Sequence, residues 1–227
     1  VTPMSPDGEI DYPAFDHLIE WHITSGTDAI VVAGTTGESP TITEQEHCDL
    51  ISHCVKKVAG RIPVVAGTGS NSTREAIFFT EAAKEYGADA CLIVVPYYNK
   101  PSQEGLYQHF KKIAESVDIP QILYNVPSRA GIDLQAQTVS RLAELPNIVG
   151  IKEASGDLDR VRELLSLCGN RISILSGDDA TARQLMLAGG KGNISVTANL
   201  VPSQMHEMCK RAISGDAVGA EAIDTPL

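Results

Sequence analysis

The run DACLIVVP (residues 89–96) decides the fold. Its apolar residues are continuous rather than alternating, and an aspartate and a proline bound it. Such a run is typical of a strand that is buried on both faces, as strands are in parallel sheets covered by helices. Six similar runs, rich in valine and isoleucine, surround it: DAIVVAG (28–34), IPVVAG (62–67), PQILYN (120–125), NIVGIK (147–152), RISILS (171–176) and KGNISV (191–196). The sequence therefore predicts seven parallel strands.

Amphipathic segments with helix-start signals lie between the apolar runs. Thr43 precedes Glu46 by three residues, and this capping box predicts the start of a helix. Asn71, Ser102 and Asp157 mark the polar stretches before three more. The predicted helices cover residues 44–58, 74–86, 103–117 and 158–168. Strands and helices alternate, which predicts an α/β fold, either a (β/α)8 barrel or an open doubly wound sheet.

No linker or change of composition divides the 227 residues, so we interpret residues 1–227 as one domain. A (β/α)8 barrel has about 250 residues. The opening residues 1–3 are typical of a strand end that continues into a loop, and the segment 216–227 stops inside a predicted helix. We therefore expect a chain that is trimmed at both ends.

The composition argues against several classes of protein. Eighteen basic and 29 acidic residues give a net charge of −11, which disfavours nucleic acid and anionic membranes as partners. No apolar run approaches the roughly 18 residues of a membrane span, and no signal-peptide pattern is present. The five cysteines are scattered, without a CxxC pair, as in reduced cytoplasmic proteins. The six histidines have no metal-ligand spacing, and GTGSNS (67–72) lacks the third glycine of a dinucleotide fingerprint.

Polar side chains collect where the predicted strands end, positions that form the functional rim of an α/β barrel. Lys152 ends an apolar strand, where burial would favour a neutral amine that forms a Schiff base with a ketone. Tyr124 lies at the same level of the preceding strand, where a phenol can transfer protons. Taken alone, each residue more often has a structural role, as a lysine that extends into solvent or as a core tyrosine.

Two further features of the rim fit carboxylate substrates. The loop 34–37 (GTTG) offers backbone N–H groups and two hydroxyls, which can hold one carboxylate. Arg129 offers a bidentate fork for a second. A simple glycine-rich turn and a surface arginine are the structural alternatives. The joint occurrence of these groups on one rim carries more weight than any single residue.

Six blocks of sequence, in order, resemble the dihydrodipicolinate synthase family over nearly the whole chain: GTTGE (34–38), PYYNKPSQEGLYQHF (96–110), YNVPSRAG (124–131), GIKEASGD (150–157), SGDD (176–179) and GNISVTAN (192–199). The resemblance implies a (β/α)8 TIM barrel. Chains of that family begin with a complete first strand and continue into further C-terminal helices, so the resemblance implies that both are missing from this chain.

The resemblance implies a lyase that condenses pyruvate with L-aspartate 4-semialdehyde, at the start of the diaminopimelate branch of lysine biosynthesis. The Tyr–Lys pair and the GTTGE loop are shared with N-acetylneuraminate lyase and the sugar-acid aldolases. Arg129 and the pair Asp178-Asp179 indicate the condensing synthase. Two alternatives stay open: another class I pyruvate-dependent aldolase or lyase, and a non-catalytic relative that binds ligand without turnover.

The resemblance also assigns catalytic roles. Lys152 forms the imine with pyruvate, so no metal or organic cofactor is implied. Tyr124 donates and accepts protons, and Thr35 links it to Tyr98 in a hydroxyl relay. The amides of Thr35 and Thr36 hold the carboxylate of pyruvate.

The remaining implied roles concern the substrates, the assembly and its regulation. Arg129 binds the carboxylate of aspartate semialdehyde, and Gly177 and Ile194 line the pyruvate pocket. In the family the second tyrosine of the pair Tyr97-Tyr98 crosses a dimer interface, so a homo-oligomer, a tetramer built as a dimer of dimers, is implied. A lysine-feedback site at that interface corresponds to Ser39, His47, Asn71, Glu75 and Tyr97. Glu44 stands where lysine-sensitive members often carry histidine. The added carboxylate could attract lysine or could spoil the site, so inhibition by lysine stays open.

Overall fold

Seven parallel strands form one curled sheet in the computed structural model, which describes residues 1–227. Their spatial order is their order along the chain. The strands are β1 (Ile30–Val32), β2 (Val64–Gly67), β3 (Ala90–Val94), β4 (Gln121–Asn125), β5 (Ile148–Glu153), β6 (Ser173–Ser176) and β7 (Gly192–Asn193). All seven predicted strands are confirmed. β1 pairs only with β2 and β7 only with β6, so these two strands are the edges of the sheet.

Ten α-helices accompany the sheet. They are α1 (Tyr12–Thr24), α2 (Glu44–Val58), α3 (Thr73–Tyr86), α4 (Gln103–Ser116), α5 (Pro127–Ala130), α6 (Ala136–Leu142), α7 (Leu158–Cys168), α8 (Asp179–Leu187), α9 (Pro202–Ile213) and α10 (Ala217–Asp224). Short 3-10 turns cover Thr35–Gly37, Ser39–Thr41 and Thr197–Asn199. None of the helices combines the length and the apolar character needed to cross a membrane.

The four helices predicted from start signals are confirmed within one residue at each end. The capping box of α2 is complete, since Thr43 Oγ1 accepts from the N–H of Glu46 and Glu46 Oε2 accepts from the N–H of Thr43. The cap of α3 is Ser72, one residue beyond Asn71. At the end of the chain the predicted helix ends at Asp224 and does not continue to Leu227.

The main core lies between the sheet and its surrounding helices. A cluster of 34 buried apolar residues joins the strands to α1–α4 and α6 and α7; Phe110 of α4 and Ile151 of β5 are fully buried in it. A second, methionine-containing cluster packs α8, α9 and α10 together. Helical connections return the chain to the same end of the sheet before each strand, so the strands run parallel and their carboxyl ends meet at one rim.

A cleft of about 880 Å³ opens between the two edge strands. Residues of β1 and β7 line its walls, α1 and α9 flank it, and it reaches Lys152 inside the sheet. Three of the predicted site residues besides Lys152, namely Thr35, Thr36 and Ile194, face the same cleft. The fold therefore connects the strand ends to one concave surface.

Candidate active site

Tyr124 and Lys152 lie side by side at the carboxyl ends of β4 and β5. The strand register pairs the two residues directly, and Lys152 Nζ lies 4.2 Å from the centre of the Tyr124 ring. Both residues are buried: Lys152 is 9% exposed and Tyr124 is 6% exposed. Because water is excluded there, the amine interacts electrostatically with the neighbouring protein groups more strongly than it would in solvent.

Burial lowers the pKa of Lys152 from 10.5 to about 8, because water no longer stabilises the ammonium ion. The carboxylate of Asp179 opposes this change, and the positive charge of Arg129 adds to it. At pH 8 about half of the molecules therefore carry a neutral amine, the form that attacks carbonyl carbon.

The pKa of Tyr124 is raised above its usual 10, chiefly by burial. The hydroxyl of Thr35 and the charge of Arg129 act in the opposite direction without cancelling the effect. The phenol therefore keeps its proton at neutral pH. A protonated phenol next to a neutral amine can donate to an oxygen that leaves during imine formation.

The turn Thr35–Gly37 follows β1 and faces the cleft. Gly34 caps the turn with extended backbone, and Thr2 Oγ1 donates to the carbonyl of Gly37 over 2.6 Å, which fixes its far end. The first N–H groups of a helical turn have no partner within it. Such groups bind carboxylates when they face a pocket.

Gly177 leaves room for the side chain of Lys152. A Cβ atom at position 177 would lie 2.6 Å from Cε and 2.8 Å from Cγ of Lys152. It would also lie 2.8 Å from the Cβ of Ala154. Any larger residue would displace the lysine stem, so Gly177 contributes to the site by its lack of a side chain as well as by its backbone.

Arg129 and Tyr98 lie at the exposed margin of the rim. Arg129 belongs to α5, directly after β4, and its side chain is exposed. Tyr98 is 88% exposed and has a φ of +73°. Its backbone N–H donates to the carbonyl of Ala130 over 3.3 Å, whereas its phenol makes no hydrogen bond within the chain.

A second, smaller cavity of about 130 Å³ lies beside α2 and α3. His47 and Glu75 are two of its lining residues. His47 stacks on Phe79 with ring centres 4.2 Å apart, and its Nε2 lies 2.7 Å from the carbonyl oxygen of Gly67, to which it donates. Burial lowers the pKa of His47, so the ring is neutral at neutral pH. Glu75 hydrogen-bonds Ser70.

Comparison with known proteins identifies the family. The Dihydrodipicolinate synthetase family matches over residues 1–227. The chain belongs to the dihydrodipicolinate synthetase family.

Curated relatives of high identity carry one name. The 4-hydroxy-tetrahydrodipicolinate synthase of Thioalkalivibrio sulfidiphilus is 59% identical over 227 residues, which are 100% of this chain and 77% of the relative. That of Pseudomonas aeruginosa is 57% identical and is covered over 78% of its length, again by the whole of this chain. The predicted family and the predicted lyase-type synthase are thus confirmed.

Solved structures of the family superpose closely on this fold. Dihydrodipicolinate synthase from Acinetobacter baumannii, complexed with pyruvate, matches with a TM-score of 0.98 at 54% identity, over 99% of this chain and 77% of that one. The Cyanidioschyzon merolae enzyme with lysine bound matches with a TM-score of 0.95 at 41% identity, over 99% and 77% of the two chains. The predicted barrel class is therefore confirmed. Membership of the family supports catalysis through a lysine Schiff base without an added cofactor.

The structure brings most of the predicted residues together. Lys152 contacts Tyr124 and backs onto Gly177, and it shares a cleft with Thr35, Thr36 and Ile194. Four of the five residues of the predicted lysine-feedback site line the smaller cavity, namely Ser39, His47, Glu75 and Tyr97. Glu44 lines it as well. Asn71 is not in that lining, and its carbonyl accepts from Asn99 instead. Within one chain, Tyr98 does not reach Thr35 through a hydrogen bond.

Two features of the site were not assigned roles from sequence. Asp179, at the start of α8, binds the loop that contains Ile194: its carboxylate accepts from Asn193 Nδ2 over 2.7 Å, from the N–H of Val196 over 2.9 Å and from the N–H of Thr197 over 2.8 Å. The other feature is a buried glutamate, Glu153, directly after the lysine. The only sequence signal for it is an acidic residue at the end of an apolar strand.

We expect Lys152 to react with an amine-directed acylating reagent with a midpoint near pH 8, because its neutral fraction falls as the pH drops through that value. Peptide mass spectrometry after brief labelling across a pH series measures this. Lys111 is the internal control, since its hydrogen bond to Glu115 raises its pKa. If Lys152 and Lys111 had the same labelling midpoint, the lowered pKa of Lys152 would be contradicted.

Proposed function

We propose that this chain, as a single catalytic domain over residues 1–227, condenses pyruvate with L-aspartate 4-semialdehyde through a Schiff base on Lys152. The observation that carries the proposal is the buried amine of Lys152, 4.2 Å from the Tyr124 ring centre, in a cleft that the Thr35–Thr36 turn also lines. The names of the curated relatives and the pyruvate complex of the Acinetobacter baumannii enzyme support the substrate pair.

The first half of the reaction forms an enamine. The neutral amine of Lys152 attacks the ketone carbon of pyruvate and gives a carbinolamine. Tyr124 donates a proton to the departing hydroxyl, so that water leaves and the imine forms. Tyr124, now a phenolate, then takes a proton from the methyl carbon, and the protonated imine nitrogen accepts the electron pair, which gives the enamine.

The second half forms the carbon–carbon bond and frees the enzyme. The enamine carbon attacks the aldehyde carbon, whose oxygen takes up a proton and becomes the hydroxyl of the product. The amino group of the semialdehyde then attacks the imine carbon and displaces the amine of Lys152. Ring closure releases 4-hydroxy-tetrahydrodipicolinate, and one water is lost overall.

Two groups orient the substrates in this proposal. The amides of Thr35 and Thr36 bind the carboxylate of pyruvate, with Gly177 and Ile194 forming the wall behind Lys152. Arg129, which is exposed and close enough to Lys152 for its charge to lower the lysine pKa, binds the carboxylate of the semialdehyde in bidentate fashion. The residue roles fit a protein of net charge −11 because Arg129 supplies a local positive charge for the anionic substrates.

The proposal includes a homo-oligomer, a dimer of dimers, that acts in the cytoplasm. The exposed phenol of Tyr98 supports it, because an aromatic side chain 88% exposed beside the rim is available to a second copy of the chain. In the assembled enzyme Tyr98 of one copy would join Thr35 and Tyr124 of the other in a hydroxyl relay. The five free cysteines support a reducing compartment.

The smaller cavity favours a second function, feedback binding of lysine. Its lining carries two carboxylates, of Glu44 and Glu75, which can bind the ammonium groups of the ligand. The lysine complex of the Cyanidioschyzon merolae enzyme supports the choice of ligand. In this proposal Ser39, His47 and Tyr97, which line the cavity, surround the amino acid.

Incubation with pyruvate and borohydride should add one reduced pyruvate to the chain, because borohydride reduces the imine to a stable amine. Lys152→Ala should abolish the adduct, and Lys111→Ala, the same change at a half-buried lysine of α4 outside the cleft, should leave it. Intact mass reports both. Absence of an adduct on the folded wild-type chain would sink this proposal and favour a relative that binds ligand without turnover.

Arg129→Ala should raise the KM for aspartate semialdehyde about 10- to 100-fold, because a charged hydrogen-bonding fork is lost. The rate of adduct formation with pyruvate alone should change little. Arg162→Ala, an exposed arginine paired with Asp159 on α7, is the matched control. An unchanged KM, or a wild-type chain that uses sugar acids and not the semialdehyde, would point to another pyruvate aldolase.

Glu75→Gln should weaken lysine binding about tenfold or more, because one carboxylate of the cavity is neutralised. Calorimetric titration with L-lysine measures the affinity. Glu85→Gln, the same change on an exposed face of α3, should bind as the wild type does. Equal affinities in all three chains would remove the cavity as the lysine site.

A further inference from the structure

The register between β4 and β5 is interrupted before it reaches the site. Gln121 pairs with Ile148, but the next residue, Ile122, pairs with Gly150, so one residue of β5 has no partner. Beyond this bulge the pairing is continuous to the ends of both strands. Side chains alternate between the two faces of a strand, so a slip by one residue would turn Lys152 out of the interior.

The last pair of this ladder is Asn125 with Glu153, directly after the pair of Tyr124 with Lys152. By the alternation of strands, the two polar side chains lie on the helix side of the sheet, behind the site. Both are buried, at 0% and 2% exposed. Asn125 Nδ2 donates to the Glu153 carboxylate, at 3.0 Å from Oε2 and 3.3 Å from Oε1.

All of the hydrogen-bonding groups of the Asn125 amide are used. Its Oδ1 accepts from the N–H of Leu134 over 2.9 Å, and its Nδ2 also donates to Asp133 Oδ1 over 2.8 Å. Arg160 of α7 donates to Asp133 Oδ2 over 2.8 Å. The amide thus ties the end of β4 to β5 on one side and to the loop before α6 on the other.

Glu153 is held in the same way. Its Oε1 accepts from the N–H of Ser155 over 2.7 Å, and its backbone carbonyl accepts from the N–H of Gly177 over 2.8 Å. Burial raises the pKa of its carboxyl, although the bonds from Asn125 and Ser155 act against this change. Loss of this carboxylate would leave the Nδ2 of Asn125 and the N–H of Ser155 without an acceptor, so Glu153 affects stability as well as geometry.

We propose that Glu153, through its hydrogen bonds to Asn125, is a positioning residue that fixes the β4–β5 register beyond the bulge and so holds Lys152 against Tyr124. The inference rests on the proposed role of Lys152 as the Schiff-base residue. Glu153 does not touch substrate. It acts through the strand ends, on the face opposite to the reaction.

The test is the rate of adduct formation with pyruvate and borohydride as a function of pH, measured on the full chain. Glu153→Ala should slow trapping about 100-fold, the size of effect expected when a reacting group is misplaced by an ångström. The midpoint of the pH profile should rise by about one pH unit or more as Lys152 leaves its desolvated position. Glu153→Gln keeps one acceptor oxygen, for the N–H of Ser155 and the longer bond from Asn125, but places a donor NH2 where Oε2 accepts, so trapping should slow less than in Glu153→Ala, by about three- to tenfold.

Gln121→Ala is the matched control. Gln121 is also a fully buried polar residue of β4, but it lies before the bulge, where its Nε2 donates to the carbonyl of Val117 over 3.1 Å. Its loss should lower the thermal midpoint of unfolding and leave the pH profile unchanged. The same shift in Gln121→Ala and Glu153→Ala would overturn the inference, since it would then reflect destabilisation alone.

The remaining outcomes are also decisive. A wild-type rate and midpoint in Glu153→Ala would overturn the positioning role while leaving the proposed function intact. A wild-type chain that forms no adduct would instead overturn the proposed function. If Glu153→Ala does not fold, Asn125→Ser removes the amide that joins the two strands and keeps the carboxylate; it should show the same slow trapping and raised midpoint, and wild-type behaviour would again refute the inference.

Discussion

The removal of one amine from water is the constraint on which the rest of this structure depends. Lys152 would be an ordinary, fully protonated surface group if its stem reached solvent. It is kept inside by a strand whose residues 150–153 are buried, by the ring of Tyr124 and by the absence of a side chain at Gly177. Each of these acts on the same quantity, the free energy of the ammonium ion relative to the neutral amine.

The charges around the site balance opposing needs. Asp179 favours the charged form of Lys152 and Arg129 disfavours it, and both lie in elements that begin just after strand ends. A stronger anion next to the amine would restore its proton and remove its nucleophilicity. Two carboxylates near the lysine accept hydrogen bonds from other groups instead. Glu153 accepts from Asn125 behind the sheet, and Asp179 accepts from the N–H groups of residues 196 and 197.

The strands and the lysine–tyrosine pair could be predicted from sequence because they depend on local composition and on the simple geometry of parallel strands. Helices α2 and α7 begin at side-chain caps and were predicted from them, whereas α1, which Asp11 caps, was not. Helices α6, α8 and α9 begin without a side-chain capping bond, although Pro202 at the start of α9 is itself a start signal. The pairing of Asn125 with Glu153 depends on the position of a bulge, and the register across a bulge is a property of two strands together.

The backbone of Tyr98 has a consequence for assembly. A left-handed conformation is costly for a residue with a bulky side chain, and here the bond to Ala130 maintains it within a single chain. The backbone conformational entropy of Tyr98 is thus lost during folding rather than during association. A second copy that covers the Tyr98 ring would therefore contact a backbone that is already ordered. Its association would cost less conformational entropy than the ordering of a flexible loop.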